Sequence, residues 1–96
     1  MGLAAARTIA FSLAGTVDGA DPAAPYTRIS LLLGTSGATL ALCDLSGVQA
    51  DAITLDALAR VRLAARRHGC RLRLRGASND LVELLTYTGF DEVVAD

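Results

Sequence analysis

Along this chain, period-two alternation of apolar and polar residues gives way to helical spacing three times. In "RTIAFSLAG", Ile9, Phe11 and Leu13 fall on one face and Thr8, Ala10 and Ser12 on the other, as in a half-buried strand. "GTVDGAD" follows, with two glycines and two aspartates in seven residues, and is turn material. Asp21 and Pro22 form an N-cap and N1 pair that predicts a helix carrying Tyr26, Ile29, Leu32 and Leu33 at helical spacing, stopped by Gly34 or Gly37.

The second round starts with "ATLALCDL", where Leu40 and Leu42 face one way and Thr39, Ala41 and Cys43 the other. A helix is predicted from about Asp51 to His68, ending at Gly69, with Leu55, Leu58, Val61 and Ala65 as its buried stripe. "CRLRLRG" then has a strict period of two, Cys70, Leu72 and Leu74 inward and Arg71, Arg73 and Arg75 outward. Ser78 caps a third helix with Asp80 in its first turn, Gly89 ends it, and "FDEVV" is read as a short last strand.

The order β-α-β-α-β-α-(β) predicts a single α/β domain over residues 1–96, with residues 1–6 as a tail. Its sheet is expected to be mainly parallel, with four to five strands. Parallel strands covered on both faces would be continuous apolar runs. These alternate, so three helices are expected to pack chiefly on one face and leave the other partly wet.

Composition changes this picture in a few places. The chain is 52% hydrophobic, which is enough for a packed core and argues against disorder. All nine basic residues are Arg, seven of them between Arg60 and Arg75, so chemistry that needs a catalytic lysine is excluded, P-loop hydrolysis among it. A net charge of −1, with four aromatic residues and none interleaved with the arginines, argues against nucleic acid as a partner. On the second helix, Arg60, Arg62, Arg66 and Arg67 form either a solvated basic face or a contact for an acidic partner.

Cys43 and Cys70 fit neither metal-ligand nor CxxC spacing and are read as small buried hydrophobes in a reducing cytoplasm. His68, the single histidine, stands at a helix end where a cation is favoured; with no nucleophile pattern near it, it is read as capping. Asp44 and Asp51 flank "LSGVQA", but the acidic cluster and lysine that would make this a magnesium-dependent receiver site are missing. "MGLAAARTIAFSLAG" lacks the basic start of a signal peptide, Ala6 stands where N-myristoylation wants Ser or Thr, and no run reaches the ~18 apolar residues of a membrane span. No cofactor, no metal and no enzymatic activity are expected, and the protein is expected to be cytoplasmic.

Nearly the whole chain resembles the STAS domain, the fold of bacterial anti-sigma factor antagonists. The resemblance is carried by "LALCDLSGV", Asp51, "LDALARVRLAARRHGCRLRLRGAS" and "LVELLTYTGFDEVV". Counting back from Gly69 aligns Asp51 with the Asp of the family's D-S-S-G-L helix start. In phosphorylation-regulated members the second Ser of that motif accepts phosphate from the anti-sigma factor kinase, and the added charge breaks the interface. Here Ala52 and Ile53 replace the two serines and Thr54 the glycine. The phosphoacceptor-equivalent position is therefore Ile53, which has no hydroxyl, and Thr54 is a substitute acceptor only if the register slips.

What the resemblance implies is a transcription-regulating, protein-binding module without the usual switch. Its contact surface is expected at Asp18, Gly19, Ser46, Asp51, Ala52, Ile53, Thr54 and Asp56, with an anti-sigma factor or a related kinase-like protein as partner. STAS domains without the phosphorylated Ser also serve as accessory subunits of lipid-transport ABC complexes, which makes a transporter ATPase the alternative partner. A small-molecule or nucleotide sensor is a third reading, and a homodimer stays open. Direct membrane insertion is not expected.

Overall fold

The computed structural model describes residues 7–90. Strand β1 (Thr8–Ser12) runs into a single 3-10 turn at Leu13–Thr16, followed by helix α1 (Ala24–Ser36), strand β2 (Leu40–Asp44), helix α2 (Ala52–Arg67), strand β3 (Arg71–Arg75) and helix α3 (Asn79–Tyr87). The three strands form one parallel sheet in the order β1-β2-β3. This is fewer than the four to five strands expected from sequence. The last predicted strand, "FDEVV", lies outside the described residues apart from Phe90, and so does the predicted tail.

Topology explains why, among the described residues, the helices cover one face of the sheet and not the other. Right-handed crossovers that step in one direction across a sheet place their helices on the same side. The strand order here never reverses among the described strands. One core therefore joins Ile29 and Leu33 of α1, Leu58, Val61 and Ala65 of α2, and Leu81 and Leu85 of α3 to Ala41, Cys43, Leu72 and Leu74 of the sheet. On the opposite face Leu40 and Leu42 are half-buried and Arg71, Arg73 and Arg75 are exposed. Alternation alone does not say which side of β2 is inside. The small side chains of Ala41 and Cys43, both fully buried, let the helices approach the central strand closely.

Local rules account for most boundaries. The Asp51 carboxylate accepts the Thr54 amide at 2.8 Å and caps α2, worth about 1 kcal/mol for such a cap. Ser78 does the same for α3 through the Leu81 amide, and Asp80 sits in its first turn. Helix α1 differs from expectation. Asp21 accepts the Ala23 amide in a turn ahead of the helix, so the helix starts at Ala24 with Pro25 in its first turn. It runs through Gly34 and ends at Gly37, whose φ of 64° closes the last carbonyls. Tyr26 and Leu32 contribute less to the core than their spacing suggests: Tyr26 is half-buried and Leu32 exposed. Leu55 is half-buried too, its place in the stripe taken by Thr54 and Ala57. Cys43 and Cys70 are free and buried, though Cys70 stands one residue ahead of β3.

Candidate functional site

The carboxyl ends of β1 and β2 open onto the first turn of α2. Three segments meet there: the 3-10 turn with the Val17–Pro22 loop, the "LSGVQA" loop after β2, and the start of α2 itself. Two adjoining hollows result. One, of about 390 Å³, is lined by Val17, Asp18, Gly19, Pro25, Ile53 and Asp56 among others. The second, of about 360 Å³, shares Val17 and Ile53 and continues over Leu13, Val48 and Thr54. Both are chiefly apolar, and Asp18, Asp21, Asp51 and Asp56 stand around them.

Ile53 is the centre of this surface. It is 71% exposed, and Val17 beside it is 40% exposed. In the register of α2, Asp51 is the N-cap, Ala52 the first helical residue and Ile53 the second. Its side chain faces solvent and not the core. Thr54 is instead turned inward at 7% exposure, held there by the cap that ties its amide to Asp51.

The acidic rim is partly neutralised. Arg28 pairs with Asp18 at 3.8 Å and also donates to the Gly15 carbonyl, which fastens the Val17 loop to α1. Arg60 pairs with Asp56 at 2.9 Å, one turn along α2. The Asp18 carboxylate also accepts the Ala20 amide, so the loop is held by its own side chains.

Of the sequence candidates, Asp18, Gly19, Asp51, Ala52, Ile53, Thr54 and Asp56 are brought together at this end of the molecule. Ser46 does not line either hollow. Its hydroxyl and amide both donate to Asp44, at 2.7 and 3.0 Å, and hold that carboxyl below the usual carboxylate range, with Arg75 adding a smaller push in the same direction. Val17, Pro22 and Pro25 line the site and are not among the candidates read from sequence. An apolar residue stranded in a Gly/Asp loop, as Val17 is, was the available signal.

Among the described residues no three His, Cys, Asp or Glu side chains cluster as a metal site, and no helix is long and apolar enough to cross a membrane. No protein-family model matches the chain, and no curated protein matches it. The surface around Ile53 is a large exposed apolar side chain set in apolar hollows with a polar rim.

Proposed function

We propose that this chain is a regulatory protein-binding module of the STAS type, engaging its partner through the first turn of α2 and the Val17–Pro22 loop. The observation that carries this reading is the pairing of Ile53 with Val17. Two exposed aliphatic side chains line the same two hollows, whose rim is acidic. An isolated exposed aliphatic residue needs no explanation, but two that line one concavity give a partner side chain somewhere to seat.

The module acts without phosphoryl transfer at this position. Ile53 occupies the outward place and offers no acceptor oxygen, while the Thr54 hydroxyl is carried by a buried side chain. An isoleucine in the contact favours binding that is steady and is regulated through the partner's abundance or conformation. The preferred partner is a kinase-like anti-sigma factor.

Capture of a purified kinase-like anti-sigma factor tests the reading. Replacing Ile53 with Asp and, separately, Val17 with Asp is expected to weaken capture by about 30-fold or more, the effect of losing a central apolar contact. Unchanged capture by both variants would overturn it. Capture of a transporter ATPase through the same two residues, with no binding to the kinase-like protein, would assign the chain to an ABC complex instead.

A further inference from the structure

The open face of the sheet has a chemistry of its own. Register places Thr8, Leu40 and Arg71 in one row across the strands, Ala10, Leu42 and Arg73 in the next, and Ser12, Asp44 and Arg75 in the third. Crossing the sheet, one therefore meets a column of small residues, a column of half-buried leucines ending in Asp44, and a column of exposed arginines. The ion pairs among the described residues, Arg28 with Asp18 and Arg60 with Asp56, do not involve these arginines. Arg75 has Asp44 across from it in the register, and Arg71 and Arg73 have leucines.

From this arrangement we infer that the open face docks an acidic amphipathic α-helix of a partner protein. The geometry favours a helix for two reasons. A strand laid on a sheet face would leave its own backbone groups unpaired, whereas a helix satisfies them internally. Alternate residues of β3 are about 6.6 Å apart, and helical residues at i, i+4 and i+8 rise in steps of about 6 Å. Acidic side chains at that spacing meet Arg71, Arg73 and Arg75 in turn, each able to accept the paired N–H groups of a guanidinium. The helix's apolar stripe then lies on Leu40 and Leu42, and the small side chains of Thr8, Ala10 and Ser12 leave room for its backbone to approach.

Other polyanions fit this face less well. None of the four aromatic residues, Phe11, Tyr26, Tyr87 and Phe90, belongs to the three rows, so single-stranded nucleic acid has nothing to stack on. Among the described residues the large exposed apolar side chains are Val17, Leu31, Leu32, Ile53, Leu63 and Tyr87, all elsewhere, so none of them projects from this face as a bilayer anchor. The face is also distinct from the acidic surface around Ile53, and the two assignments stand or fall separately.

The test uses the full chain and a labelled helical peptide of about 15 residues, with Glu at i, i+4 and i+8 beside a Leu/Ala stripe. Binding is expected at tens of micromolar, on the order of the affinity one salt-sensitive helix contact supports. Amide shifts should centre on residues 40–42 and 71–75. Arg73→Glu should weaken binding by about tenfold or more, and a peptide with Lys in place of the central Glu should restore it to that variant. Absence of binding, shifts confined to other surfaces, or failure of the charge swap would overturn the inference. So would tighter binding through the same arginines by a single-stranded RNA of about 12 nucleotides or by vesicles rich in phosphatidylserine.

Discussion

Gly76 passes so close to Asp44 that a Cβ on it would stand 2.6 Å from the carboxylate Oδ1 and 2.7 Å from the Ser46 hydroxyl. The glycine has a φ of 75°, so a side chain there is strained as well as crowded. Gly37 is the natural control, with a φ of 64° and nothing within 4 Å of its Cβ position. Gly37→Ala is expected to cost about 1 kcal/mol and Gly76→Ala about 2–3 kcal/mol. Urea unfolding of the two variants checks the order. Equal losses would mean that the Asp44–Ser46 turn moves aside freely.

The same turn gives Asp44 a pH signature. Two donors from Ser46, helped by Arg75, favour the carboxylate in the folded protein and hold its pKa below the ordinary value. The unfolded chain thus binds the proton more readily, and stability rises with pH through that interval. The contribution is complete above the ordinary carboxylate range and is lost as pH falls through the lowered folded value. A carboxyl NMR titration should show Asp44 moving up towards the ordinary range in Ser46→Ala. No movement would remove the Ser46 hydroxyl as a cause and leave its amide, which alanine retains.

Cys43 predicts the opposite trend at the alkaline end. Burial, with a smaller push from Asp44, raises its thiol from 9.0 to about 12. Between those values the folded protein keeps a proton that the unfolded chain releases, so stability falls as pH rises. Stability measured at pH 8.5 and 10.5 should drop more steeply in the wild type than in Cys43→Ala. The Cys70 thiol, also raised by burial, is common to both proteins and cancels in the comparison.

These features differ in how far they could be seen before the structure. Helix α2 was legible nearly residue by residue because its signals are local: the Asp51 cap, the Leu58–Val61–Ala65 stripe and the stop at His68 and Gly69. The start of α1 was not, because Asp21 is as good a turn former as it is a helix cap, and only the surrounding backbone decides which of the two it makes. The 3-10 turn at Leu13–Thr16 has no periodicity to announce it, yet it buries Leu13 and delivers Val17 to the site. Strand alternation showed that β2 has two faces. It took the packing of three helices to show that the smaller residues face inward. The candidate surface was legible where it lies on α2 and incomplete where it depends on the loop, since Val17 and Ile53 come to line the same hollows only after folding.

Ile53 provides a prediction that separates folding from binding. At 71% exposure its side chain gives up little burial when replaced, so the hydrophobic term is small. It is also the second residue of a helix whose first turn contains no acidic residue. Aspartate introduced there would interact with the positive end of the helix dipole, worth about 0.3–1 kcal/mol, less some repulsion from Asp51 and Asp56. Ile53→Asp is therefore expected to leave stability unchanged or slightly raised while weakening partner capture by the factor given above. Thermal unfolding beside the capture assay reads both quantities from one preparation. A residue selected for the fold would lose stability on this change and one without a role would lose nothing. A contact residue loses binding alone, and that pattern is the outcome expected for Ile53.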